Sequence, residues 1–123
     1  MGKPVGKKKT DAVILRDGGV CVIQLDRDCQ LVATCADHRR SRGHGGARSL
    51  DGMSNLIAAC GICNGKKEDS KGETRELLVA RGVIIESGRT HAHEAEKARE
   101  TPVWYPDGSR WYLRDDGSRS ETP

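Results

Sequence analysis

The sequence lacks phenylalanine altogether and has only two tryptophans and two tyrosines among 123 residues. Hydrophobic residues make up 35% of the chain, so a core built from them is small for a single domain of this length. A domain with so little apolar material gains from an additional stabiliser, and a structural metal ion is a common one.

Long apolar segments are also missing. No run approaches the about 18 residues that a membrane-spanning helix needs, and the first residues lack the apolar stretch of a secretory signal. The opening MGKPVG departs from the myristoylation pattern because residue 6 is glycine. We therefore expect no membrane partner and a cytoplasmic location, where thiols stay reduced.

Charge is distributed unevenly along the chain. Residues 1–48 hold ten Lys or Arg against five Asp or Glu, a net of +5, whereas residues 49–123 hold eleven against thirteen, a net of −2. A basic front half favours a polyanionic partner such as DNA.

The sequence pattern predicts an α+β domain. Residues 1–9 have the composition of a flexible basic arm, and TDAVILRDGG predicts a helix that Thr10 caps and Gly18 ends. The later segments are two strand-like stretches (CVIQL, LVATCADH), an apolar segment (SNLIAAC), three helices (from GICNGKKEDS, ETRELLVARG and THAHEAEKARE), a hairpin (VWYPDGSRWYL) and a frayed tail (RDDGSRSETP). Residues 71–123 form a helical extension and hairpin of the same domain, with the Trp104/Tyr105 and Trp111/Tyr112 pairs expected in the hairpin core.

The five cysteines favour metal binding over disulfides, because the number is odd and the expected compartment is reducing. Cys60 and Cys63 form a Cys-x-x-Cys pair, which is half of a tetrahedral zinc site. The other half must come from Cys21, Cys29 and Cys35, which is one candidate too many. We favour Cys21 and Cys29, because they can close over a small loop, whereas Cys35 lies within a strand-like stretch. Four thiolates leave no open position for water, so the zinc would be structural.

A second group of residues suits phosphodiester hydrolysis. Asp37 and His38 end a strand-like stretch and lead into the basic, glycine-rich loop RRSRGHGGARSLDG. A neutral imidazole can activate water. Carboxylate and amide oxygens suit Mg²⁺ or Mn²⁺, which would stabilise charge on the phosphate. On the residues alone, simpler readings stay open: Asp37 pairs with a neighbouring arginine, Asn55 caps a turn, and Asn64 is a turn residue.

The stretches ADHRRSRGHGG and SNLIAACGICNGKK together resemble the HNH endonuclease motif of the ββα-metal nucleases, which are common in phages and mobile elements. The shared features are Asp-His at a strand end, a Gly-Gly loop (Gly45-Gly46), a central Asn, and Cys-x-x-Cys followed by His or Asn. The upstream RDGGVC resembles phage members that carry a structural zinc. This resemblance spans residues 16 to about 70, so residues 10–70 would form a small ββα-metal nuclease core with its zinc site.

The resemblance implies a role for each matched residue. His38 would be the general base, Asn55 would orient it, and Asp37 and Asn64 would hold the catalytic cation. Asn64 stands where many relatives have histidine, which favours Mg²⁺ or Mn²⁺ as that cation. The basic residues Arg39, Arg40, Arg42, Arg48, Lys66 and Lys67 would contact DNA phosphates, whereas we expect no catalytic role for His44.

The function expected from the sequence is a metal-dependent DNA endonuclease encoded by a phage and acting in a bacterial host, with a link to terminase or packaging proteins as a further expectation. The alternative is a non-catalytic, zinc-containing DNA-binding module, which has no use for Asp37, His38 and Asn55 together. The target sequence, the oligomeric state and the choice between nicking and double-strand cleavage are left open by the sequence.

Overall fold

The computed structural model describes residues 5–41, 48–86 and 91–123, with the side chains of residues 48–49 and 91–95 excepted. The described residues form a small α+β fold with four helices and two small antiparallel sheets. In chain order the elements are α1 (Lys7–Arg16), β1 (Cys35–His38), two 3₁₀ turns (Arg48–Asp51 and Met53–Asn55), β2 (Leu56–Ala59), α2 (Gly61–Asp69), α3 (Gly72–Ala80), α4 (His91–Glu100), β3 (Val103–Trp104), β4 (Arg110–Leu113) and β5 (Arg119–Ser120).

The first sheet pairs β1 with β2 in antiparallel register, with Asp37 opposite Ile57 and His38 opposite Leu56. All four residues of β2 are buried, because α1 packs against both strands of this sheet. α2 begins directly after β2, so the strands and the helix that follows them form one continuous unit. This unit contains the residues that the sequence singled out for chemistry.

A buried carboxylate joins α1 to the rest of the fold. Asp17, just after α1, accepts hydrogen bonds from the backbone N–H of Ala58, from the guanidinium of Arg16 and from the hydroxyl of Tyr105. Arg16 also donates to the carbonyl oxygens of Met53 and Leu56. One charged pair thus connects the first helix, the first sheet and the C-terminal sheet, and its polar atoms are satisfied as burial requires.

Gly82 ends the α3 segment in a conformation that only glycine adopts without strain. Its φ is +77°, and a Cβ added there would lie 1.9 Å from the carbonyl oxygen of Pro102. Glycine is the residue that most often follows a helix end for this reason. The close approach holds the start of the C-terminal sheet against the end of α3.

The second sheet has the order β3-β4-β5, and its inner side joins the main core through Val103, Tyr105 and Leu113. The expected hairpin is confirmed as β3 and β4. The expectation of a frayed tail is wrong, because Arg119 and Ser120 form β5 opposite Leu113 and Tyr112. A tight turn around Gly117, with φ of +90°, brings the chain back.

Two other element predictions are corrected. α1 begins at Lys7, not at Thr10, so the last part of the expected flexible arm is helical; residues 1–4 lie outside the described residues. The stretch CVIQL forms no extended strand. The isolated bridge nearby pairs Val32 with Val20, which precedes this stretch, and Gln24 within it has a φ of +41°, which interrupts an extended conformation. No helix within the described residues has the length and apolar character needed to cross a membrane.

Candidate functional site

Four of the five cysteines form one cluster. The sulfur atoms of Cys21, Cys29, Cys60 and Cys63 all lie within 4.8 Å of one another. The Sγ atoms of Cys29 and Cys60 are 3.9 Å apart, far longer than a disulfide and close to the edge of a tetrahedron around zinc. These residues fit a tetrahedral metal ion bound by four sulfurs, consistent with structural zinc.

Local backbone geometry explains how the cluster forms. Cys60 is the N-cap of α2, and its Sγ accepts a hydrogen bond from the backbone N–H of Cys63 at 3.4 Å. The N–H groups of Leu25, Gln30 and Leu31 point at the sulfurs of Cys63, Cys60 and Cys29 respectively, at 3.4–3.5 Å. Such donors stabilise thiolates, which are the metal-binding form.

The thiols of the cluster differ in acidity for physical reasons. Burial raises the pKa of Cys29 and Cys63. Burial also acts against ionisation of Cys60, but the backbone N–H groups of Cys63 and Gln30, together with the thiols of Cys63 and Cys21, lower the pKa of Cys60 to about 6. The pKa of Cys60 therefore lies below those of Cys29 and Cys63.

Cys35 lies outside the cluster. Its Sγ donates to the carbonyl oxygen of Ala59 at 3.2 Å, and burial raises its pKa. The sequence preference for Cys21 and Cys29 over Cys35 agrees with this geometry. The deciding feature is the pairing of β1 with β2, which the cysteine spacing does not encode.

Asp37 and Lys67 form a buried ion pair between β1 and α2. Asp37 Oδ2 lies 2.8 Å from Lys67 Nζ, and both side chains are almost fully buried. Lys67 directs its hydrogen bonds elsewhere, to the carbonyl oxygens of His38 and Val83, so Asp37 Oδ2 keeps the charge contact without a hydrogen bond among the described residues. Burial raises the pKa of Asp37, and the nearby ammonium of Lys67 acts against that rise.

His38 contacts a carboxylate that sequence reasoning did not identify. Its Nε2 lies 2.7 Å from Oδ1 of Asp51, in the first 3₁₀ turn, and both side chains are partly exposed. A carboxylate in this position accepts a hydrogen bond from the ring and so fixes the orientation of the imidazole. Asp51 stands in the segment RSLDG without a distinctive pattern, and no sequence signal marks it as a partner of His38.

Asn55 acts on the backbone beside His38. Its Oδ1 accepts from the N–H of Arg40 at 2.9 Å, and its Nδ2 donates to the carbonyl oxygens of Arg40 and Leu50. The side chain is buried, so these bonds fix the start of the loop after β1. Asn55 makes no described hydrogen bond to the His38 ring itself.

Asn64 lies in the first half of α2, on the side that meets β1. Its Nδ2 is 3.6 Å from Cys35 Sγ. Cys35 is two residues before Asp37 in β1, so both side chains lie on the same side of the strand. Lys67, three residues on, reaches Asp37 itself. Asn64 and Asp37 therefore border the same contact between β1 and α2, and Lys67 occupies the place beside Asp37.

Two of the expected phosphate-binding residues are buried, which contradicts that role. Arg39 is 2% exposed and donates to the carbonyl oxygens of Gly82, Ser54, Ala98 and Thr101. Its pKa falls to about 9 because burial disfavours its charge. Arg39 connects the loop after β1 to α4, and Lys67 holds Asp37. Neither offers its charge to an external phosphate.

The other expected DNA contacts have mixed positions. Arg40 is partly exposed and donates to the Ser41 carbonyl oxygen, and Lys66 is partly exposed beside the carboxylates of Asp26 and Asp28. Arg48 begins the first 3₁₀ turn, but its side chain lies outside the described residues. Residues 42–47 also lie outside them, and this segment contains Arg42, His44 and the Gly-Gly pair.

Searches with protein-family profiles, curated proteins and solved structures found no match to this chain. The geometry of the site and the sequence motif are therefore the basis for a functional proposal.

Proposed function

We propose that this protein is a metal-dependent DNA endonuclease of the HNH type, with a structural zinc in its four-cysteine cluster. The observation that carries the proposal is the His38–Asp51 contact at the end of β1, next to Asp37 and to the loop backbone that Asn55 holds. A surface histidine with no chemical task does not require a carboxylate partner and a loop fixed on its other side. The adjacent strands and helix also match the order that the motif implies.

In the proposed reaction His38 takes the proton of a water molecule whose oxygen attacks the phosphorus of a DNA phosphodiester. The P–O3′ bond breaks, leaving a 5′-phosphate and a 3′-oxygen that is protonated by solvent. Asp51 engages Nε2 of His38, which leaves Nδ1 to accept the proton. Asn55 keeps the strand end and the following loop in place during this step.

The proposal requires a divalent cation, and the residues fit one in part. Asp37 Oδ2 is a buried oxygen without a hydrogen bond among the described residues, and Asn64 lies along the same contact between β1 and α2. These two side chains would hold Mg²⁺ or Mn²⁺, which supplies positive charge to the phosphate when bound. Lys67 Nζ competes for Asp37, so its ammonium must move away or share the carboxylate when the cation binds.

The test is cleavage of supercoiled plasmid with Mg²⁺, Mn²⁺, Ca²⁺ or no added cation. We expect nicked or linear product with Mg²⁺ or Mn²⁺. His38→Ala should reduce the amount of product by about 10²-fold or more. Asn64→Ala should also reduce cleavage, but it should leave the zinc content unchanged. Asp11→Asn, at an exposed carboxylate of α1, is the control and keeps wild-type activity. Cleavage by His38→Ala at the wild-type rate would eliminate His38 as the base.

The Asp37–Lys67 pair also favours a second function, that of a zinc-stabilised DNA-binding module. A carboxylate already neutralised by a buried lysine serves stability without any cation. The same plasmid experiment separates the two functions, because this module retards DNA in a gel under every cation condition and leaves it intact.

A further inference from the structure

The outer side of the C-terminal sheet carries an alternating series of aromatic and cationic side chains. Strand alternation puts Trp104, Arg110, Tyr112 and Arg114 on this side, and Val103, Tyr105 and Leu113 on the buried side. The expectation that both Trp/Tyr pairs belong to the hairpin core is therefore corrected. Trp104 is 43% exposed, while its neighbour Tyr105 is buried.

Arg110 lies between the two outer rings. Its guanidinium carbon is 5.7 Å from the centre of the Trp104 ring and 5.8 Å from the centre of the Tyr112 ring. Trp104 and Arg110 are directly opposite each other in the sheet, and Tyr112 follows two residues on. These contacts hold the three side chains in one row, which we name the aromatic–arginine row. Because the side chains are already ordered, a ligand that binds them costs less side-chain entropy.

Two arginines give this side of the sheet positive charge, and the carboxylates of Asp107 and Asp116 lie in the turns next to it. Arg110 and Arg114 are exposed, and the facing residue of β5 is the neutral Ser120, which accepts from Arg114. The nearby aspartates are engaged in the turns: Asp107 accepts from Ser109, and Asp116 accepts from Ser118. A partner that offers both flat rings and negative charge complements the row.

The sheet is attached directly to the candidate nuclease site. Asp115, in the turn between β4 and β5, accepts from the backbone N–H and the hydroxyl of Ser54 at 3.0 and 2.6 Å. Ser54 immediately precedes Asn55, which fixes the loop after His38. A ligand bound to the aromatic–arginine row therefore has a defined position relative to His38.

We propose that the aromatic–arginine row binds single-stranded nucleic acid, and that in the full reaction it holds an unpaired DNA strand beside the nuclease site. Bases stack on the exposed ring surfaces and on the guanidinium plane, while Arg110 and Arg114 donate to phosphates. The link to DNA cleavage rests on the proposed function, but binding of a single strand does not require it. A hydrophobic peptide or a second copy of the chain would leave the two guanidinium groups without anionic partners.

The experiment measures fluorescence anisotropy of a labelled twenty-nucleotide oligo-dT with the full-length zinc-loaded protein and no added Mg²⁺ or Mn²⁺. We expect Trp104→Ala and Tyr112→Ala each to weaken binding about 10-fold, and Trp104→Phe to retain most of it. Arg110→Ala weakens binding and makes it less dependent on salt, because fewer counterions are released. Circular dichroism and zinc content confirm that each variant is folded.

The matched control is Leu15→Ser, a change at an apolar residue of α1 that is 83% exposed; it leaves oligo-dT binding unchanged. Oligo-dT binding is measured without a catalytic cation and plasmid cleavage is measured separately, so the failure of the nuclease proposal and the failure of this one are distinguishable. Wild-type affinity in folded Trp104→Ala and Tyr112→Ala proteins would overturn the proposal. Binding of a proline-rich peptide at the row, with no binding of oligo-dT, would overturn it as well.

Discussion

Lys67 Nζ lies 2.8 Å from Asp37 Oδ2 in the contact between β1 and α2, with both side chains removed from solvent. The two partners are not equivalent. Lys67 has two carbonyl oxygens to donate to, from His38 and Val83, whereas Asp37 Oδ2 has only the charge contact among the described residues. Removal of Lys67 therefore leaves Asp37 as a buried carboxylate without a counterion. Removal of Asp37 leaves Lys67 with its two carbonyl partners, which is the less costly state.

This asymmetry predicts a graded loss of stability. Lys67→Met should lower the free energy of unfolding by about 3–5 kcal/mol, because it leaves Asp37 buried without a counterion. Asp37→Asn should cost less, and the double variant should lose less than the sum of the two, as coupled neighbours do. Urea unfolding of the zinc-loaded proteins measures all three. Lys66→Met, at the partly exposed neighbour in α2, is the control and should leave the midpoint nearly unchanged.

The cysteine cluster predicts which thiol is dispensable. Cys63→Ser should reduce bound zinc below one equivalent per chain and unfold the region around α2, because the metal replaces much of a missing core. Cys35→Ser should keep one zinc, since its sulfur contacts Ala59 and Asn64 instead of the cluster. Elemental analysis after gel filtration measures the metal. Loss of zinc from Cys35→Ser, with zinc retained in Cys29→Ser, would show that Cys35 and not Cys29 is the fourth ligand.

The contact of His38 with Asp51 predicts a positioning role for that carboxylate within the proposed nuclease. Asp51→Asn should lower kcat about 10-fold or more and leave KM for plasmid close to the wild-type value, because the change affects the base and not substrate binding. Steady-state nicking assays measure both constants. Asp11→Asn, at an exposed carboxylate of α1 paired with Lys7, is the control. A rise in KM with unchanged kcat would assign Asp51 to DNA binding instead.

Two glycines predict opposite responses to the same substitution. Gly82→Ala should lower the free energy of unfolding by about 1–3 kcal/mol or more, because φ of +77° and the carbonyl oxygen of Pro102 leave no place for a methyl group. Gly65→Ala should raise it by about 0.5–1 kcal/mol, since Gly65 lies within α2 and an added Cβ meets nothing within 4 Å. Thermal unfolding under identical zinc loading compares the pair. Equal effects would contradict the described geometry around Gly82.

Local sequence determined the elements that short-range chemistry controls. Cys60 and Cys63 stand at the start of a helix because a side-chain acceptor at the N-cap satisfies backbone N–H groups. Gly82 ends the α3 segment because glycine adopts positive φ freely. The cysteines favoured in the sequence are the four that the structure brings together, and the Cys-x-x-Cys spacing of one pair is typical of a zinc site.

Tertiary structure decided which charges are available for chemistry. The sequence offers four similar cations, yet the fold buries two of them, Arg39 and Lys67, and leaves the other two, Arg40 and Lys66, partly exposed. It also brings Asp51 to His38 and sorts Trp104 from Tyr105 onto opposite sides of one sheet. Such outcomes depend on contacts between segments far apart in the chain, and burial changes the energy of a charge more than its local neighbours do.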